Sequence, residues 1–537
     1  MLLKKNCVSF FLLILSFSVT AQINRPKLVV GLVVDQMRWD YLYRYNDQYG
    51  NGGFKRLLKQ GFSNENTFIP YLPTYTAVGH TCVYTGSLPS ITGIVGNNWF
   101  DKSLNRSVYC TEDSTVQTVG SNSNAGKMSP DNLWVTTITD ELRLGTNFKS
   151  KVIGIALKDR GAILPAGHAA NAAYWYDEGK WITSSYYMNN LPGWVNQFNA
   201  KDLATAYMNK DWNTLLPINK YSQSTDDDKP YESNIKGEKS VVFPHNLAAI
   251  PASSKFDAFK TTPFAATFTF DFAKAAIENE KLGKNTVTDF LAVSISSTDY
   301  IGHAFGPNSI EAEDAYLRLD KDIADFLSYL DKTVGMGNYL FFLTADHGAA
   351  HVPAFLNEHK IPAGIFDNKD LAKELDEAIV SKFGINKAIS TVMNYQVYLN
   401  DENLTEQNAS EVKKLIIKTL SQKPYILNVF TNREIEAVTM PEPQKQMTIN
   451  GFNPKRSGDI QFSIKPGYFA GGKKGTTHGL WNPYDSHIPL LWFGWKVKPG
   501  KSNRQVYMTD IAPTVAAMLQ IQMPNGNVGK VIEEVFK

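Results

Sequence analysis

An α/β fold, built on a mainly parallel central sheet with helices on both faces, is predicted by two observations. Residues 27–35, 289–299 and 339–346 are largely apolar runs, each closed by an aspartate: Asp35, Asp299 and Asp346. Runs of this kind lack a polar face, so they read as strands buried on both sides of a parallel sheet. Between the second and third runs, Ala312, Tyr316, Leu319, Ile323, Phe326 and Leu330 recur at spacings of four and three. That is the apolar stripe of an amphipathic helix lying on the sheet.

Taken along the chain, the strand ending at Asp35 leads to residues 51–61, a short helix stopped by Gly61. Thr76 follows, between Pro73 and Gly79, where a loop turns into a helix. Residues 87–99, rich in Gly, Pro, Ser and Asn, read as a loop. Residues 151–157 are a further apolar strand ending at Lys158; on an extended segment residues 158 and 160 face the same side, which directs Lys158 and Arg160 together. Residues 160–284 are aromatic-rich and irregular, with Tyr174, Trp175, Tyr176, Trp194 and Trp212 among Asn, Gly, Pro and Ser. They read as an insertion over the sheet, either a cap near the site or packed surface structure. Residues 360–466, with helical stretches at 370–380 and 411–420 around strand-like 396–399, read as a small α/β insertion. Residues 485–494 are a last buried strand and 508–519 a capped helix. There is no internal repeat and no low-complexity tract.

The chemistry lies where these runs end. Asp35, then Asp299 with His303, then Asp346 with His347, and His478 inside the glycine-bearing stretch 475–479 form four separated clusters. In parallel sheets ligand sites gather beyond the carboxyl ends of the strands, so three runs deliver acidic or imidazole groups to one edge. Three Asp and three His suit zinc, which takes carboxylate oxygen and imidazole nitrogen and keeps a position open for chemistry. Adding the Thr76 oxygen suggests two metals about 4 Å apart, one activating an attacking oxygen and the other neutralising a leaving oxygen. Thr76 also suits an N-cap, the ordinary use of threonine at such a turn.

These residues resemble the alkaline phosphatase superfamily and, within it, the PafA-type zinc-dependent alkaline phosphatases, from about residue 27 to the C-terminus. The resemblance implies that Asp299, His303 and His478 hold the zinc facing the leaving group. Asp35, Asp346, His347 and Thr76 would surround the zinc that activates the nucleophile. Asn97 matches the family's phosphate-binding asparagine, with Asn98 the adjacent candidate, and Lys158 and Arg160 match its cationic pair. The family often carries proline at the position of Val78. The activity implied is hydrolysis of small-molecule phosphate monoesters through a phosphothreonine on Thr76, with two Zn2+ as cofactors. Related phosphodiesterases of the nucleotide pyrophosphatase type share the Asp, His and Thr set and are the alternative; a phosphate- or zinc-binding protein without turnover is a third reading. Sulfatases need a Cys or Ser followed by a Pro and Arg signature, which Thr76 and its neighbours do not supply.

Composition agrees with an exported globular enzyme. The 537 residues are 43% hydrophobic and 20% charged, and the formal net charge is +2. Residues 1–21 read as a secretory signal peptide: Lys4 and Lys5, an apolar segment from Val8 to Val19, and small residues before Gln22. The mature chain, 22–537, is expected as one catalytic domain bearing the two insertions, soluble and monomeric, in the periplasm or secreted. Without the leader's two lysines the charge is balanced, so no nucleic-acid partner is expected; no later run is long enough for a transmembrane segment. Cys82 and Cys110 remain after processing, and a disulfide between them is left open by the sequence.

Overall fold

A computed structural model describes residues 24–536; the expected leader lies outside them. Ten strands form the main sheet, numbered in chain order: β1 (Leu28–Val34), β2 (Phe62–Asn64), β3 (Thr118–Val119), β4 (Val152–Ala156), β5 (Ala172–Asp177), β6 (Lys180–Ser184), β7 (Asp289–Ile295), β8 (Tyr339–Thr344), β9 (Leu490–Gly494) and β10 (Gly500–Ser502). Their spatial order is β10-β2-β9-β8-β1-β7-β4-β5-β6-β3. The five in the middle, from β8 to β5, pair in parallel. All residues of β1, β7 and β8 are buried, which is why their sequences show no alternation. The predicted α/β fold is the fold observed.

Register sets where the functional side chains emerge. Val34 pairs with Ile295, Val33 with Thr344, and Ser294 with Ala156. Asp35, Asp346, the helix bearing Asp299, and Lys158 therefore leave the sheet at one edge. Four helices meet them there or behind: α1 (Thr76–Thr85), α2 (Asp159–Ala166), α3 (Ser297–Phe305) and α4 (Ile310–Leu330). The six residues of the predicted stripe on α4 are all buried. Ser309 caps it, its hydroxyl accepting from the Ala312 N–H.

Three elements differ from expectation. The predicted strand 485–494 is broken: Pro483–Ser486 is a helical turn, His487–Ile488 pairs with Thr67–Phe68 in a separate sheet, and only Leu490–Gly494 enters the main sheet, antiparallel to β8. Pro489, which has no N–H to give a ladder, sits at the break. The loop at 87–99 contains the short helix Pro89–Thr92 and the start of the strand Asn98–Asp101. The aromatic residues after α2 are not merely surface: β5 and β6 extend the main sheet, and Trp181 stacks on Phe272 with ring centroids 4.4 Å apart. Residues 389–464 carry a four-stranded antiparallel sheet, with its own apolar cluster including Leu375, Ile416 and Phe462.

Cys82 and Cys110 are both free and buried. Burial pushes both thiols up, that of Cys110 to about 12, so neither is a reactive thiolate.

A buried polar cluster ties the stretch after β6 to α4. The His245 ring lies 2.9 Å from Glu238 and 3.3 Å from Glu311, and His245, Glu311 and Glu232 are each at most 1% exposed. Burial alone would lower the His245 pKa, but the two glutamates outweigh it and hold it at about 9. Burial, then Glu311, pushes Glu232 up to about 9. A carboxyl that keeps its proton in the folded chain and loses it in the unfolded one makes stability fall as pH rises from its ordinary range to its folded pKa. Glu232→Gln should therefore leave the thermal midpoint near pH 5 little changed and raise it at pH 9, measured by calorimetry; equal shifts at both values would refute the protonated carboxyl.

Candidate metal centre and nucleophile

Thr76 is the first residue of α1. The N-cap is Tyr75, whose side chain makes no capping bond, so Thr76 is not spent as a cap. Its Oγ lies 3.4 Å from His347 Nε2 and 3.5 Å from Lys158 Nζ. The Ala77 N–H donates to Asn97 Oδ1 at 2.9 Å, placing Asn97 against the helix start that carries Thr76, while the Asn98 carbonyl instead accepts from Asn394. Gly79 explains the close approach of α1: a Cβ there would lie 2.4 Å from the Asp346 carbonyl oxygen.

Three buried carboxylates converge. Asp299 Oδ1 is 3.1 Å from His303 Nε2 and 3.7 Å from His478 Nε2. Asp35 Oδ1 and Asp346 Oδ2 lie 3.5 and 3.4 Å from His347 Nε2. Each imidazole gives its other nitrogen to a backbone carbonyl: His303 Nδ1 to Thr476 at 2.7 Å, His478 Nδ1 to Thr74 at 2.7 Å, His347 Nδ1 to Gly348 at 2.9 Å. A carbonyl only accepts, so the proton sits on Nδ1 and, in the neutral ring, the Nε2 lone pair faces the centre, the arrangement of metal-binding histidines. Burial opposes the charge on His303, but Asp299 outweighs it and raises that pKa. Burial, chiefly, lowers the pKa values of His347 and His478, keeping them neutral.

The charges do not balance without a cation. The Lys158 ammonium bonds Asp35 at 2.6 Å and Asp299 at 2.5 Å, one positive charge among three carboxylates. Burial opposes the Lys158 charge, but Asp299 and Asp35 outweigh it and hold the pKa above the usual lysine value. Burial, then Asp299 and Asp346, pushes the Asp35 carboxyl well up. Asp35 Oδ1 and Asp346 Oδ2 are buried with no hydrogen-bond partner. Unpartnered anionic oxygens facing imidazole lone pairs fit divalent cations of the zinc type. Asp299, His303 and His478 lie close enough to hold one ion together, and Asp35, Asp346, His347 and Thr76 line the space beside them; candidate ligand atoms of Asp35, Asp299 and His347 also fall within 4.8 Å of one another.

Arg160 is placed differently from expectation. Lys158 is the N-cap of α2 and Arg160 lies in its first turn, so the two are not on one extended segment. Lys158 enters the carboxylate cluster, whereas Arg160 donates to the Tyr109 hydroxyl at 3.0 Å, with its Nε unpartnered. Both line a cleft of about 320 Å³ with Tyr300, Asp159 and Trp175. His351 and His487, near the motifs, do not orient ligands: His351 bonds Asn308 and Arg38, and His487 bonds the Glu65 carbonyl and stacks on Trp39.

Two contributors carried no sequence signal. His80 bonds the Thr76 carbonyl at 2.9 Å and Ser294 at 2.8 Å and lies 3.3 Å from Asp346. Gln36 bonds Asp346 through its backbone and Asp299 through its side chain. Only the position of Gln36 directly after Asp35 could have marked it.

A family model described as type I phosphodiesterase / nucleotide pyrophosphatase matches residues 29–488. The chain is 55% identical over 519 residues to alkaline phosphatase PhoV of Synechococcus elongatus, covering 96% of this chain and 94% of that one. It is 53% identical over 545 residues, 99% of each chain, to a Myroides odoratus protein named calcium-transporting ATPase. The crystal structure of wild-type alkaline phosphatase PafA matches with a TM-score of 0.94 at 53% identity, covering 96% of this chain and 100% of that one.

The charge imbalance yields a test. In the metal-free protein Lys158→Ala leaves buried carboxylates uncompensated and should cost about 3–5 kcal/mol. Saturating zinc should recover much of that loss, read by denaturant unfolding with and without the metal; an equal loss in both conditions would show that the ammonium and the cation do not share those carboxylates.

Proposed function

Because the chain belongs to the type I phosphodiesterase / nucleotide pyrophosphatase family, we propose a phosphate monoester hydrolase, an alkaline phosphatase, working through a phosphothreonine on Thr76 at a two-zinc site. The observation that carries this reading is the Thr76 oxygen at the start of α1, within 3.5 Å of both an imidazole lone pair and a buried ammonium. The names borne by PhoV and PafA support it.

Asp299, His303 and His478 would hold one ion, and Asp35, Asp346, His347 and Thr76 the other. Bound zinc supplies Lewis-acid stabilisation of the attacking and leaving oxygens. The chain's own groups do the rest. Thr76 gives its hydroxyl proton to solvent as Oγ attacks phosphorus in line, its bond to phosphorus forming as the ester P–O bond breaks and the departing oxygen takes a proton from water to leave as the alcohol; water then cleaves the phosphothreonine, returning a proton to Thr76 Oγ and releasing inorganic phosphate. Lys158 keeps its proton, so it acts as a fixed charge and not as a base. With the side-chain NH2 of Asn97, the guanidinium of Arg160 and the Thr76 backbone N–H, it stabilises the equatorial oxygens, where the transition state carries its charge.

Charge also selects the substrate. A monoester presents one more anionic oxygen than a diester, and two cations beside the site reward it. Ion transport, suggested by the Myroides relative's name, would call for membrane-crossing segments, and no helix among the described residues is long and apolar enough. Export rests on the leader read at residues 1–21, with the periplasm or the exterior as destination.

Two outcomes test the proposal. Thr76→Ala should retain the fold and bound zinc, by elemental analysis, while hydrolysis of an aryl phosphate falls at least about 10³-fold; a retained rate would show that another group attacks. Wild-type protein should hydrolyse that aryl phosphate faster than its methyl diester, and replacing Lys158 and Arg160 by Ala should lower kcat/KM for the monoester by at least about 10² and for the diester by much less. Faster wild-type turnover of the diester would assign the chain to phosphodiesterase chemistry.

A further inference from the structure

Gln36 touches both ligand groups at once. Its backbone N–H donates to Asp346 Oδ1 at 3.1 Å, and its side-chain Nε2 donates to Asp299 Oδ1 at 2.7 Å. The residue is 3% exposed and left-handed, with φ +64°. Side chains rarely adopt that conformation, and it persists where the surroundings impose it. Its amide oxygen lies against Gly302, between Asp299 and His303 on α3: a Cβ at Gly302 would sit 1.9 Å from Gln36 Oε1.

We infer that Gln36 is a positioning residue shared by the two cation sites, its backbone fixing Asp346 for one and its amide fixing Asp299 for the other. This rests on the two-zinc reading above. The amide fits the task by its charge. A neutral donor orients Asp299 without neutralising it, leaving the carboxylate able to bind a metal, whereas a glutamate here would repel Asp299 and a lysine would compete with the ion. The Asp346 contact uses only the main chain, so any side chain at position 36 preserves it. Side-chain truncation therefore separates the sites: only the group containing Asp299 loses a partner.

Gln36→Gly tests this, since glycine accepts the same φ at no steric cost. Zinc affinity is measured by competition with a chromophoric chelator in two backgrounds, His347→Ala to isolate the Asp299 group and His478→Ala to isolate the Asp35 group. Gln36→Gly should weaken zinc about 10–100-fold in the first, the usual effect of losing a partner that orients a ligand, and leave the second unchanged. Gly302→Ala, which displaces the amide without altering residue 36, should reproduce the pattern. Equal weakening in both backgrounds would reduce Gln36 to general structural support, and no weakening in either would show the amide to be idle; each overturns the inference while the two-zinc reading stands. A wild-type protein that takes up fewer than two zinc ions overturns both.

Discussion

Three carboxylates buried around a single lysine ammonium are the constraint to which the rest of the molecule answers. Desolvated anions within a few ångströms of one another are costly unless positive charge is brought to them. Lys158 supplies one charge to Asp35 and Asp299, and the neutral rings of His347 and His478 turn lone pairs, not protons, toward the same space. An arrangement that gathers anions and faces them with imidazole lone pairs suits divalent cations.

Keeping such a cluster together requires a stiff frame, and the parallel strands provide it. Strands buried on both faces cannot slip register without exposing their apolar side chains, so the pairing of Val34 with Ile295 and of Val33 with Thr344 fixes where Asp35, Asp299 and Asp346 emerge. Backbone carbonyls of Thr74, Thr476 and Gly348 then set the imidazole orientations. Because these orienting groups are main chain, the geometry depends on the path of the loops more than on any one side chain. The stretch after β6 contributes to that path: the Tyr231 carbonyl accepts from the Gly475 N–H and the Ser233 N–H donates to the Ala304 carbonyl, bracing the segments that bear His478 and His303.

Much of this was legible from local pattern. The uninterrupted apolar runs announced β1, β7 and β8, the stripe from Ala312 to Leu330 announced α4, and the acidic residues closing the runs announced the edge at which they meet. Other features followed rules that a local reading weighed wrongly. Pro489 stands at the break between His487–Ile488 and Leu490–Gly494, and α2 begins at Asp159, so Arg160 takes its direction from a helix and not from the strand before it. Tyr174, Tyr176 and Trp181 of β5 and β6 pack on Phe268 and Phe272 of a neighbouring helix, while Trp175, between the two tyrosines, joins the separate cluster of Ala162 and Ala166.

The sequence alone determined the α/β class, the strands β1, β4, β7 and β8, and a set of Asp, His and Thr residues of types that suit cations, because strand and helix periods and the residue types of metal ligands are written locally. Tertiary structure decided which partners complete them. Gln36 meets Asp299 across 263 positions, His80 meets Ser294 across 214, and Cys82 and Cys110 stay apart as buried thiols. Contacts at such separations are set by sheet register and loop path, quantities that depend on the packing of the whole chain and leave no periodic trace in it.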